Sequence, residues 1–310
     1  MSGALAFTFW QRLAENTFYH QALLGGLAIA LLCSVLSVWV VLKRMAFIGE
    51  GIAHGAFGGV GVALLAGLAF ASMRSELARD AVICAFCVSG AIIIGALTRR
   101  GKLHEDTAIG IVLVAAMALG LLLIDLRAVW LQRLIEAGSV QREQIGYTPS
   151  FHDILFGNIL FITRQQVIAA WILAGVIVLA VVAFFKELVF FTFDEETASV
   201  FGVRTNLLYY GLLICLGLAV VAAMRSLGVV MASALLILPG ASARCWSNRI
   251  GWVTVLSAIL GTTGLMAGLL LSIYLRHFSP GGVIVMTLCA IFLVSFLARH
   301  ARRGRKREAS

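Results

Sequence analysis

The chain has 310 residues, 61% of them hydrophobic and only 13% charged, with a formal net charge of +9 and a mean hydropathy of +1.00. Long uncharged stretches with only three prolines exclude a disordered, collagen-like or disulfide-stapled secreted protein. The apolar runs are continuous and about twice the ~10 residues of an outer-membrane strand, which excludes a β-barrel and leaves an all-α, polytopic membrane protein.

Runs of bilayer-spanning length predict helices at about 17–42, 51–73, 81–98, 107–124, 165–185, 205–224, 226–243, 251–275 and 280–298. Nine spans are expected. Eight or ten stay open, because only Arg225, Ser226 and the Gly228 region divide the sixth from the seventh. The first run follows Arg12 and Glu15 and is too long for a signal h-region, so it reads as a retained anchor. The six cysteines lie mostly within apolar runs, where thiols act as small hydrophobes.

With the N-terminus outside, Lys43, Arg44, Arg99, Arg100, Lys102, Lys186, Arg204, Arg244, Arg249 and the six basic residues of the tail fall inside. That distribution favours an N-out, C-in topology and accounts for the basic charge without a nucleic-acid partner. Residues 1–298 are expected to form one transmembrane domain, followed by a basic cytoplasmic tail, 299–310, near anionic lipid headgroups. The connection 125–164 is polar and expected outside, with an amphipathic element at 155–160 on the membrane surface. The connection 186–204 predicts a short cytoplasmic helix at about 194–203, with Asp194 as N-cap, Glu195 and Glu196 in the first turn and Gly202 as the stop.

The second span carries Glu50 and His54, which at a spacing of four share one helix face about 6 Å apart along the axis. A carboxylate within the bilayer costs about 2.5–3.5 kcal/mol on the permissive scale, so it normally faces protein or a water-filled path. Carboxylate and imidazole together suit zinc, manganese or ferrous iron. Beside them Gly51, Gly55, Gly59, Ala63 and Gly67 recur every fourth residue, the small-residue spacing that brings helices close. The plainer alternative makes Glu50 an interfacial ion pair near Arg44 and His54 a helix–helix hydrogen-bonding group.

Other polar positions point less clearly to chemistry. Cys84 and Cys87 are one turn apart but lack a second pair. Of the run from His104 to Thr107, Asp106 or Thr107 fits a helix cap. His20, His152 and His277 stand alone near the outer surface, and Gly264, Gly268 and Ser272 repeat the packing spacing. The chain has no phosphate-binding loop, nucleophile elbow or His-Glu-x-x-His site, so it is expected not to hydrolyse ATP itself. From charge placement alone, an ion-coupled secondary transporter using Glu50 and His54 competes with other transport mechanisms.

Residues 44–63, which carry Glu50, His54 and the first glycines of the stripe, resemble the second-span signature of the zinc/manganese/iron permease family of bacterial ABC importers. Stretches 105–112, 155–160, 193–202 and 227–244 agree in the same order, so the resemblance covers roughly residues 17–298. It implies a permease of the type II ABC importer kind in the bacterial inner membrane, working as a homodimer. A cytoplasmic ATPase would bind ATP, and an external metal-binding lipoprotein or periplasmic protein would deliver zinc, manganese or iron. The family's acidic-x-x-x-His pair falls on Glu50 and His54 as transient ligands, with glutamate where aspartate is common and no proline after the histidine. The stretch holding Asp194, Glu195, Glu196, Ala198 and Gly202 resembles the family's coupling helix, which docks into the ATPase.

Overall fold

A computed structural model describes residues 17–69, 75–136, 162–275 and 278–308. Every regular element among them is helical: α1 Thr17–Leu42, α2 Ala46–Ala69, α3 Glu76–Arg99, α4 Glu105–Glu136, α5 Arg164–Ala183, α6 Phe185–Phe193, α7 Glu195–Val200, α8 Thr205–Leu227, α9 Val229–Trp246, α10 Ile250–Tyr274 and α11 Pro280–Glu308. Nine of these described helices are long and apolar enough to cross a membrane. Helices are the natural result, because inside lipid each backbone N–H and C=O must find its partner within the segment.

Several boundaries differ from expectation, since hydropathy marks where lipid contact ends and not where helical hydrogen bonding ends. α2 starts at Ala46, so Glu50 and Gly51 lie inside the helix and not at its edge. α4 runs on to Glu136, which turns the first part of the expected 125–164 loop into helix. Exposed Leu126, Val129 and Trp130 keep an apolar stripe through its last turns, and Gln132 Nε2 donates to Glu136 Oε1 at 3.2 Å. The cap proposed at Asp106 or Thr107 is displaced: Glu105 and Asp106 form the first turn of α4, and Ala108 N–H donates to the His104 carbonyl. The basic tail continues α11 as helix to Glu308. His152, His277 and the expected element at 155–160 lie outside the described residues.

The chain divides into two compact units, and α8 passes from one to the other at Val221/Ala222. One unit holds α1, α5, α6, α9, α10 and α11; α5, α9 and α10 pack on α1, whose Ser34, Ser37 and Trp39 are fully buried, and α11 packs on α9 and α10. α9 contains Pro239, which lacks the N–H for its own helical bond. One residue on, the Gly240 N–H donates to Ser37 Oγ at 2.7 Å, and Ser37 Oγ donates to the Ile237 carbonyl at 3.3 Å. The contact is backbone-close, since a Cβ at Gly240 would sit 2.5 Å from Ser37 Oγ. Nearby, Ser257 Oγ donates to the Ser34 carbonyl at 2.6 Å.

Ser37→Ala should therefore lower stability by about 1–2 kcal/mol, because it strips a buried N–H of its acceptor across helices. Ser233→Ala should have little effect, since that hydroxyl only bonds back to Val229 in its own helix. Thermal unfolding of the detergent-solubilised protein checks this; equal midpoints for the two variants would remove the role given to Ser37.

The other unit gathers α2, α3, α4, α7 and most of α8. Its closest crossing joins α2 to α4 backbone to backbone. A Cβ at Gly61 would lie 2.8 Å from the Gly120 carbonyl, and one at Gly120 would lie 2.8 Å from the Phe57 carbonyl. α3 packs on α2 near Gly59, where a Cβ would meet Ile83 Cα at 3.2 Å, and on α8 through Gly95, which faces Leu213, Tyr210 and Tyr209.

Candidate functional site

α2 is buried through its middle, from Gly55 to Gly61, and part-open at both ends. Phe47 is exposed, Glu50 and His54 are half-buried, and these positions follow one another along one face. His54 Nε2 lies 3.1 Å from Glu50 Oε1, and the two side chains retain 24% and 44% of their accessible surface. That exposure decides what the stripe can face: an ionised carboxylate cannot be left against acyl tails, so it needs water or a second protein surface. Counting from Ala46 at 1.5 Å per residue, Glu50 lies about 6 Å and His54 about 12 Å along the helix.

The pair is already spaced as a ligand pair. Two atoms each about 2.1 Å from one cation, at tetrahedral or octahedral angles, stand about 3.0–3.4 Å apart. A divalent ion can thus take the place of the hydrogen bond between carboxylate and imidazole, binding the neutral imidazole. Among the described residues no cluster of three or more His, Cys, Asp or Glu side chains is assembled to hold a metal.

The small-residue stripe is used unevenly. A Cβ at Gly51 would meet the Ile109 side chain at 2.5 Å, one at Gly55 would make ordinary contact with Ala116, and one at Gly59 would press on α3. Gly67 is half-buried. The closest approaches to another helix's backbone fall instead on Gly58, which continues the Glu50–His54 line, and on Gly61, neither of them in the Gly51–Gly67 series. The Glu50–His54 stripe keeps its opening because the neighbouring faces are filled by α3 and α4.

Other candidates resolve into packing. Cys87 is buried and its thiol points at the Ile52 carbonyl, 4.0 Å away. An apolar cavity of about 230 Å³ lies beside it, lined by Gly51, Gly55, Phe86, Gly90 and Ala116. The Ser89 hydroxyl at its wall donates to the Phe86 carbonyl at 2.7 Å, so the cavity suits hydrocarbon and not a cation. His20 and His104 are exposed.

The expected short cytoplasmic helix is α7, six residues long. Asp194, in extended conformation, ends α6 and directly precedes it, and Glu195 and Glu196 form its first turn. Gly202 has φ +84°, a conformation open to glycine at little cost. There its N–H donates to the Ser199 carbonyl while Val203 N–H donates to the Ala198 carbonyl, the paired bonds of a Schellman stop. Ala198 is fully buried, whereas Val200 and Phe201 are 84% and 75% exposed. The helix thus has an anchored inner side and an apolar outer end. Sequence reasoning missed Arg99, which donates to both Glu195 and Asn206. As one of three basic residues, with Arg100 and Lys102, at the end of a span, it read only as topology.

Residues 15–299 match the ABC 3 transport family. Similar over nearly its whole length is the manganese transport system membrane protein MntC of Halalkalibacterium halodurans, 29% identical with 97% of each chain covered. A probable iron transport system membrane protein of Haemophilus influenzae is 30% identical, covering 90% of this chain and 92% of its own. Among solved structures, PsaBC from Streptococcus pneumoniae in complex with Fab is similar at 27% identity and a TM-score of 0.74, covering 94% of this chain and 95% of the other. With only helices as regular structure and nine candidate spans among the described residues, and a match along almost its full length, this chain belongs to the ABC 3 transport family.

Proposed function

We propose that this chain is the membrane-spanning permease subunit of an ATP-driven importer, moving a divalent transition-metal ion (zinc, manganese or iron) by alternating access. The chain is a multi-pass protein of the bacterial cytoplasmic membrane. The observation that carries the reading is the half-open Glu50–His54 stripe at the start of a helix whose middle is packed against its neighbours, with two potential ligand atoms 3.1 Å apart.

Two ligands from one chain leave a transition-metal site short of four. A second copy, facing the first across the stripe, would bring Glu50 and His54 twice and enclose the path. Such a site holds the ion weakly enough to release it, as transport requires. An external metal-binding protein delivers the ion, and a cytoplasmic ATPase receives α7 as its coupling element, with Asp194, Glu195, Glu196, Ala198 and Gly202 fixing that helix. Family membership favours this scheme over an ion-coupled secondary transporter.

The two schemes separate in proteoliposomes with manganese as the probe. The chain reconstituted with its ATPase should accumulate the ion only when ATP is supplied. The chain alone, under a proton or sodium gradient, should accumulate none. Gradient-driven uptake by the chain alone would replace the ATP-driven reading with the secondary-transporter one.

A further inference from the structure

A helix of six residues does not hold its orientation by propensity; something outside it must fix where it points. The cap at Gly202 ends α7 but does not tie it to the spans. Arg99 does. It lies in the last turn of α3, where the negative end of the helix dipole favours a cation, and Glu195 lies in the first turn of α7, where the positive end favours an anion. The guanidinium Nη2 donates to Glu195 Oε1, Nη1 donates to Asn206 Oδ1 in the first turn of α8, and its carbon stands 4.2 Å above the centre of the Tyr209 ring. Tyr209 itself is buried.

One planar group therefore ties its own helix, α3, to two others, α7 and α8, through three kinds of contact. A lone exposed ion pair contributes little, but a guanidinium that forks between a carboxylate and an amide while lying on an aromatic face cannot be imitated by an ammonium. α3 in turn lies against the ligand-bearing helix: Cys87 reaches the Ile52 carbonyl, and Ile83 and Phe86 press on Gly59. The physical chain runs from α7 through Arg99 into α3, and from α3 into α2 with Glu50 and His54.

We infer that Arg99 is a positioning residue for transport, the clamp through which movement of α7 is delivered to the spans that carry the ion site. This rests on the reading of α7 as the element that meets the ATPase. Removing the clamp leaves α7 docked but mechanically slack, so ATP is hydrolysed without moving the ion.

The readout is metal transported per ATP hydrolysed, with manganese, in proteoliposomes holding the full permease–ATPase complex. Arg99→Ala and Arg99→Lys should both keep the ATPase bound and hydrolysing while the ratio falls about tenfold. Glu195→Gln and Asn206→Ala should lower the same ratio by smaller factors. A merely structural residue would lower uptake and hydrolysis together and leave the ratio unchanged, so an unchanged ratio in Arg99→Ala overturns the inference. If Arg99→Ala does not assemble, Glu195→Gln decides on the same criterion, since it removes charge without changing shape. A photo-crosslinker at exposed Val200 separates the two levels. Failure to link to the ATPase in the otherwise native complex sinks the docking reading and the clamp with it, whereas linkage with an unchanged ratio sinks the clamp alone.

Discussion

Glu50→Gln and His54→Ala should each cut ATP-driven metal uptake by at least about a hundredfold while leaving membrane insertion and assembly with the ATPase intact. The magnitude follows from ligand chemistry. Losing a group that merely orients a metal ligand costs about 10–100-fold in affinity or activity, and loss of the ligand itself costs at least as much. In the proposed two-copy site one substitution would delete two ligands together. Folding cannot account for the loss: Glu50→Gln removes a charge whose burial costs about 2.5–3.5 kcal/mol, so the variant inserts at least as readily as the parent. Glu50→Asp keeps the charge on a side chain one carbon shorter. It should retain transport with an altered preference between manganese and zinc, because the oxygen withdraws from the position it holds 3.1 Å from His54 Nε2. Uptake of each metal, with co-purified ATPase as the control for assembly, checks all three variants. Full transport by both Glu50→Gln and His54→Ala would remove these residues from the ion path.

The parts of this molecule that were readable in the sequence are those governed by local rules. Span number followed from uninterrupted apolar length, the Glu50–His54 juxtaposition from a spacing of four on a helix, and the stop at Gly202 from the one residue type that takes φ +84° readily. What could not be read depends on which helix meets which. The extension of α4 to Glu136 is carried by hydrogen bonds that hydropathy does not see. The acceptor for Gly240 N–H is Ser37, some two hundred residues away. Arg99 finds Glu195 and Asn206 only because α3 ends where α7 and α8 begin. Likewise the four-residue rhythm of Gly51, Gly55 and Gly59 describes one edge of α2, whereas the closest backbone-to-backbone crossing uses the edge with Gly58 and Gly61. A single helix cannot reveal which of its edges a neighbour will choose.

That crossing makes a prediction whose sign reverses within one helix. Gly120→Ala should destabilise the protein by about 1–3 kcal/mol, whereas Gly110→Ala, earlier in α4, should be neutral or stabilising by up to about 1 kcal/mol. Both changes add the same methyl and the same gain in helix propensity, so the difference comes from what the methyl meets. At Gly120 it would lie 2.8 Å from the Phe57 carbonyl oxygen and 2.9 Å from the Gly58 nitrogen, backbone atoms of α2 that cannot rotate aside. At Gly110 nothing lies within 4 Å. The only relief at Gly120 is to part α4 from α2, and Phe57 is within one turn of His54. Gly120→Ala should therefore lower metal uptake as well as the unfolding midpoint, although it touches neither Glu50 nor His54, while Gly110→Ala leaves uptake at the parental level. Equal midpoints for the two variants would mean that α2 and α4 are not in backbone contact, and the opening that exposes Glu50 and His54 would then need another explanation than the filling of the neighbouring faces of α2.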